Sequence, residues 1–597
     1  MRIPLPIFVL FFILIGGNLF SYGQKESDYW VFGHQSGIHF SDTGLISLTS
    51  AQYSDIGSAV ISDSAGQLLF YTDGHKVYNR FHTVLKNGNT IKGDNASQSS
   101  IIVPYPGFPS RYFLFTIKKK MLYYYQIDMD GDNGAGELIL SDSLPSLKMI
   151  SKITALKHCN QIDYWLVVQS DDFPGFYSFQ INYEGVNRVP VNSNLEMYVD
   201  SISFGILSAS PLGNRLALTY KASNYVLSVF NYDALIGKVS NPRSFSFKEN
   251  SFGFGAGFSP DGTNLYFTVG GEKYHIYQMS MLASTTEEMK QSITHIAGGN
   301  HYAVQAGADG KMYFAKVNQT YLSAIEKPSV QGIGCGYQEN ALTLTSGKCM
   351  YGLPNIVQTF VRKTSFRTHG HCLGDTTWFT VNFPEIYDSV LWHITGTTLD
   401  YYSTENVVKL QLPQTGVYSV NLKLFHCGTF ENLSGSIELH EYPSEFFTED
   451  SLLMTSIPFL IDASGDNFVY YWNDGSANPV YAAYDPGLLN VEICNAGCCI
   501  PDSVILFKQE VDIWIPSAFS PNADGVNDVF VPKVAPGITG QMYIYNRQGQ
   551  LLHKCTQLDE GWDGRNKGKQ CKNDVYIWMI EHDKTQCRKY GTVMLLN

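Results

Sequence analysis

Short apolar runs of strand length recur along the first 360 residues, each set off by a polar turn. Ser64-Ala-Gly-Gln-Leu-Leu-Phe-Tyr-Thr72 and Pro211-Leu-Gly-Asn-Arg-Leu-Ala-Leu-Thr219 follow this pattern. So do Pro260-Asp-Gly-Thr-Asn-Leu-Tyr-Phe-Thr268 and Ala308-Asp-Gly-Lys-Met-Tyr-Phe-Ala315. Their turn glycines, Gly66, Gly213, Gly262 and Gly310, stand 147, 49 and 48 residues apart. Because 147 is three times 49, two weaker copies are expected between Gly66 and Gly213. Arg111-Tyr-Phe-Leu-Phe-Thr116 and Asp163-Tyr-Trp-Leu-Val-Val168 fall near the expected places. A period of 49 residues holds four short strands and their turns, the content of one propeller blade. The stretch from Tyr29 to about Phe360 accommodates seven such units, and a stack of separate sandwiches is the alternative. Tyr29–Phe32 and Ala341–Thr345 are expected to share the last blade, which would leave no open sheet edge.

From Arg362 the period disappears and cysteines become denser. Cys372-Leu-Gly-Asp-Thr376, Val390-Leu-Trp392, Gly416-Val-Tyr-Ser-Val420 and Cys427 outline a module over 362–441. A tryptophan between two cysteines is the immunoglobulin arrangement, in which the ring packs on the disulfide, so a Cys372–Cys427 bridge is expected. A second module, 442–509, carries Tyr470-Tyr-Trp-Asn-Asp-Gly475 and Leu489-Asn-Val-Glu-Ile-Cys494. Both are expected to act as spacers. The fold class is therefore all-β: a propeller over 24–361, two Ig-like or PKD-like sandwiches, and a last sandwich over 510–597.

Composition agrees with many strands and turns: of 597 residues, 38 are Tyr, 36 Phe and 53 Gly. Charged residues are 16% against a usual ~25%, and 44% are apolar, which excludes a disordered chain. The net charge of −13 and a single short basic run, Lys118-Lys119-Lys120, argue against nucleic acid as a partner. One arginine, the apolar run Ile7–Ile15 and small residues up to Gly23 predict a signal peptide over 1–23. That run is too short for a transmembrane anchor, and no later one is long enough.

Eleven cysteines on an exported chain imply disulfides. Besides Cys372–Cys427, the candidate pairs are Cys335–Cys349, Cys571–Cys587 and Cys494 with Cys498 or Cys499. Cys159 is left over. A zinc site at Cys494, Cys498 and Cys499 lacks a fourth ligand nearby.

Trp30-Val-Phe-Gly33, Ile61-Ser-Asp-Ser-Ala-Gly-Gln-Leu-Leu-Phe-Tyr-Thr-Asp-Gly74, Val77-Tyr-Asn-Arg80 and Gln98-Ser-Ser-Ile-Ile-Val-Pro104 resemble the N-terminal propeller-like regions of large Bacteroidetes surface proteins. Gly352-Leu-Pro-Asn355 resembles the segment that ends that region. At the other end, the motif residues are Pro516, Phe519, Pro521, Asn522, Asp524, Gly525, Asn527 and Asp528, then Asn546, Arg547 and Gly549, then Trp562, Asp563 and Gly564. In this order they resemble the gliding-motility-associated C-terminal domain. That resemblance implies a type B sorting signal read by the type IX secretion machinery. The chain departs from the pattern at Ala523, Gln548 and Asn597. Physically the same residues are turn formers and aromatic anchors of a small sandwich.

Candidate chemistry is sparse. Asn522, Asp524, Asn527 and Asp528 place oxygens on one loop and could hold calcium as a cofactor. Asp128-Met-Asp-Gly-Asp-Asn-Gly134 begins like an EF-hand loop, but Asn133 replaces its turn glycine and Ile139 its closing glutamate. His369-Gly-His371 beside Cys372 is read as a linker. Hydrolase and phosphate-loop motifs are absent. The expected function is non-enzymatic binding or adhesion at the cell surface or outside the cell, toward a glycan or protein, with gliding support as one form of it. A propeller enzyme acting on an extracellular polymer is the alternative.

Overall fold

The computed structural model describes residues 25–596 apart from 95, 145, 196–203, 223–224, 248–250, 272, 464–467, 509–512, 536–537 and 583–587. The expected signal peptide lies outside the described residues.

Between Tyr29 and Thr343 seven antiparallel sheets follow one another. The first two have three strands, the fourth has five, and the rest have four. Their opening strands are β1 (Tyr29–Phe32), β2 (Ala59–Ser62), β3 (Ser100–Pro104), β4 (Met149–Lys157), β5 (Leu207–Ala209), β6 (Phe252–Phe258) and β7 (His301–Ala306). Each opening strand lies beside the next, from β1 through β7. The seventh sheet packs back on the first. Trp30 of β1 meets Tyr313 edge-on with centroids 5.7 Å apart, and Phe40 meets the same ring at 5.9 Å.

The recurring glycines have one job. Each sits in the turn after an opening strand, where φ is 82° at Gly66, 76° at Gly213, 72° at Gly262 and 89° at Gly310. In each turn the glycine N–H donates to the carbonyl three residues earlier, at 2.8–3.0 Å. A side chain is strained in that left-handed region, which is why glycine recurs there. In the fourth sheet Gln161 takes the position with φ 62°, donating 2.9 Å to His158. The copy is structurally intact although its glycine is gone. The apolar strands after these turns, Leu68–Thr72, Tyr164–Ser170 and Asn264–Gly270, are buried at every position, because neighbouring sheets cover both faces.

One expectation is corrected. Tyr29–Phe32 and Ala341–Thr345 do not share a sheet. Tyr337–Thr343 completes the seventh sheet, while β1 pairs with its own hairpin partner His34–Ser41 across Gly33, whose φ of 59° lets the chain reverse. The returning chain instead edges the first sheet, where Lys348 and His34 exchange two backbone hydrogen bonds of 3.0 Å.

Residues 366–439 form a three-stranded and a four-stranded sheet around Phe379, Trp392, Tyr418 and Leu422. Trp392 is fully buried and its indole N–H donates 2.9 Å to the Glu405 carbonyl. Tyr418 donates 2.8 Å back to the Gln414 carbonyl. Residues 451–507 build a further four-stranded and a two-stranded sheet around Tyr470, Trp472 and Val491. The last core gathers Phe519, Phe530, Trp562, Trp578 and Leu595 over a five-stranded sheet. In that sheet Ala518–Phe519 lies parallel to Arg588–Leu595.

The disulfides differ from expectation. Cys427 bonds Cys159, 268 residues away, and Cys372 bonds Cys498, 126 away. The expected Cys372–Cys427 pair is not formed, and Cys159 is not the leftover thiol. The reason is docking: the sandwich folds back against the fourth and fifth sheets, bringing Cys427 to the turn that holds Cys159. It is therefore fastened to the seven-sheet region rather than held off as a free spacer. Cys494 bonds Cys499 directly across a hairpin. Cys335 and Cys349 are buried free thiols, not a pair, and Cys587 lies outside the described residues.

Candidate functional site

The terminal loop is built by its own side chains. Asp528 accepts N–H groups from Ala523 at 2.7 Å and Gly525 at 2.8 Å. Asp524 accepts from Val526 at 2.8 Å and from the Asn522 amide at 2.9 Å, and the Val526 N–H chiefly holds its carboxyl below the ordinary range. Ala523 (φ 65°), Gly525 (φ 84°) and Asn527 (φ 54°) bend the chain so that these bonds close. The oxygens proposed for calcium at Asn522, Asp524 and Asp528 thus serve as Asx-turn acceptors, and Asn527 donates shape through its backbone.

The remaining motif residues are scaffold. Phe519 is buried against Trp562, with centroids 5.4 Å apart, and Pro521 flanks Gly564, where a side chain would press on Leu595. Trp562 pairs with Phe530 through two backbone hydrogen bonds, and its indole donates 2.9 Å to the Arg565 carbonyl. Asp563 accepts from Arg565 N–H at 3.0 Å. Asn546 accepts from Gln548 and Gln550 in a hairpin that Gly549 closes with φ 80°. Arg547 meets Asp574 at 2.9 Å, and Pro516 leads into the first buried aromatic. The 522–527 tip is exposed, with Val526 63% and the following Val529 41% accessible.

In the seven-sheet region, the space between the opening strands is filled by the chain's own segment, residues 351–361. Asn355 is buried there: its amide donates to the Ser100 carbonyl of β3 at 3.0 Å and the Ile153 carbonyl of β4 at 2.9 Å, and its N–H to the Ser58 carbonyl at 2.8 Å. Gln358 and Gln305 of β7 exchange amide hydrogen bonds at 3.2 Å. Gly352 passes so close to the Ile56 carbonyl that a side chain would collide with it. A ligand cannot lie between these opening strands without displacing that segment.

A cleft of about 750 Å³ opens instead where the fifth sheet meets the first sandwich. Arg215, Asn231 and Arg243 line one wall, and Phe383, Glu385 and Tyr387 the other. No sequence motif marked these residues. Elsewhere, Asp128 of the EF-hand-like stretch pairs with Arg111 at 3.0 Å, and Asp132 and Asn133 form a tight left-handed turn. His371 shares a hydrogen bond of 3.1 Å with the Ala496 carbonyl, beside the Cys372–Cys498 bridge. With Cys372, Cys498, Cys494 and Cys499 all oxidised, none is a thiolate ligand for zinc.

The CHU_C type IX secretion signal domain family matches residues 513–595. No curated protein matches the chain. Among solved structures, a candidate 6-phosphogluconolactonase from Bacteroides fragilis is similar at 11% identity and TM-score 0.36, over 54% of this chain and 96% of that one. The extracellular domain of a candidate hybrid two-component system from B. thetaiotaomicron is similar at 11% identity and TM-score 0.32, over 70% and 56%. Three N-terminal domains of the bacteriophage RB49 outer capsid protein Hoc give 12% and 0.21, over 39% and 97%. Likenesses this distant transfer no activity. Among the described residues no helix is long and apolar enough to cross a membrane.

Proposed function

We propose that this is a cargo of the type IX secretion system, displayed on the cell surface or released, which binds an extracellular partner. Residues 510–597 carry the sorting information and residues 24–509 are the passenger. The observation that carries the export half is the match of the secretion signal domain to residues 513–595, a fold with its own core and an exposed 522–527 loop. The seven sheets are read as a seven-bladed propeller, supported by the sequence of adjoining opening strands and the packing of the last sheet on the first. The modules at 362–441 and 442–509 are read as Ig-like, supported in the first by the buried Trp392 and the Tyr418 corner bond. Binding rather than turnover is the reading for the passenger.

Removing residues 510–597 should leave the passenger in the periplasm, while fusing them to a periplasmic reporter should carry the reporter outside. Surface display of the truncated chain at the normal level would refute the export reading. Screening the purified chain against extracellular polymers should give saturable retention without product, and turnover would favour the enzyme.

A further inference from the structure

Arg243 is 8% exposed and the Arg215 side chain 14%, yet their charges are poorly matched. Both guanidinium groups donate to the same neutral acceptor, Oδ1 of Asn231, Arg243 at 2.9 Å. The other Arg243 nitrogen meets only the Met289 sulfur, at 3.3 Å. The nearest carboxylate to Arg215 is Glu385, at 3.5 Å and on the exposed rim. The Nε–H groups of both arginines are buried without an acceptor. Burial lowers the pKa of each, and for Arg243 the like charge of Arg215 adds to it.

The sheet itself creates this arrangement. Arg215 is the register partner of Asn231 and Arg243 that of Val229, two residues along the same strand, so the two arginines project from one face. The other acids on the cleft are occupied: Asp233 accepts from Leu235 N–H at 2.9 Å, and Asp388 from Cys427 N–H at 2.7 Å. Buried cations without matched anions are costly, and the fold keeps them beside an open space rather than filling it.

We propose that this cleft binds an oxyanion carried by the extracellular partner, held by Arg215 and Arg243. Guanidinium groups match the geometry of carboxylate, sulfate and phosphate oxygens, and both arginines line the cleft. The inference rests on the binding half of the function above, and names the chemical class and the place. It also moves the site away from the space between the opening strands, which residues 351–361 occupy. A uronate sugar would present a planar carboxylate, whereas a sulfated sugar or a phosphoester presents a tetrahedral group.

Glucuronate, glucose 6-sulfate and inorganic phosphate, titrated calorimetrically into the purified full chain at low ionic strength, separate these sources, with glucose as the neutral control. One anion should bind at one site per chain. Arg215→Gln and Arg243→Gln should each weaken it at least tenfold. Glu385→Gln, at an exposed position that leaves the fold intact, should tighten it about threefold by removing the competing carboxylate. Binding of no anion, equal binding of glucose, or affinity untouched by Glu385→Gln and by either folded arginine variant would overturn the proposal. Because the assay uses purified protein, it fails independently of export.

Discussion

In the second to seventh sheets the second strand is buried on both faces along most of its length, whereas the long strands after Arg362 are buried on one. Gly416–His426 and Gly487–Asn495 alternate exposed and buried positions, while Tyr164–Ser170 is buried throughout. The cysteines follow the same division. Within the seven sheets Cys335 and Cys349 remain buried thiols, the pKa of Cys349 pushed up to about 12 by desolvation, and the stacked cores supply cohesion. The sandwiches each bury one small core, and all three described bridges involve them. The seven sheets cohere by apolar contact, whereas the two small cores after Arg362 and before residue 510 are fastened by bridges.

That contrast can be broken most severely at Cys159 and Cys427. Changing both to Ser should cost about 4 kcal/mol in the coupling of the first sandwich to the sheets, as expected for a bridge closing so long a loop. Calorimetry should then show that sandwich melting separately and earlier, while the sheets melt as before. A single unchanged transition would show that noncovalent packing alone fastens it.

Trp392→Ala tests whether the sandwich core is as tightly committed as its bridges. Deleting a fully buried indole should lower its stability by about 3–4 kcal/mol, read from denaturant midpoints. Loss below about 1 kcal/mol would mean that the bridges, not the core, carry the module.

His301 sharpens the other side. It is fully buried in the seventh sheet, its Nε2 shares a 2.9 Å hydrogen bond with Tyr337, and burial lowers its pKa from 6.5 to about 4. Between those values the unfolded chain binds the extra proton, so the stability contribution is complete above 6.5 and falls as pH drops toward 4. The loss should reach about 3 kcal/mol at the acid end, and His301→Gln should flatten that limb. An identical acid limb in the variant would remove His301 as its cause.

The smallest effect is expected at Asn355→Ala. It strips the Ser100 and Ile153 carbonyls of their donor and should cost about 2 kcal/mol. Hydrogen exchange should rise at the opening strands and not in the sandwiches.

The secretion-signal region was legible because it is local. Asx turns at Asn522 and Asn546 and the Trp562-Asp-Gly564 turn are satisfied within a few residues, so their pattern survives in the linear text. The repeat was legible wherever glycine marked the left-handed turn, and faded at Gln161, which occupies the same geometry without the marker. At the same loop a short carbonyl side chain looks alike in the sequence as a ligand and as an Asx acceptor.

The amino-acid sequence by itself determined the all-β character, the spacing of the repeat, a short-range bridge at Cys494 and the terminal signal, all products of contacts close along the chain. Only the tertiary structure decided that Cys427 meets Cys159, that residues 351–361 pack between the opening strands, and that Arg215 and Arg243 share Asn231 beside a cleft. The physical reason is that these contacts arise from docking of whole sheets. The residues involved are ordinary in their local setting, and acquire partners only when surfaces hundreds of residues apart come together.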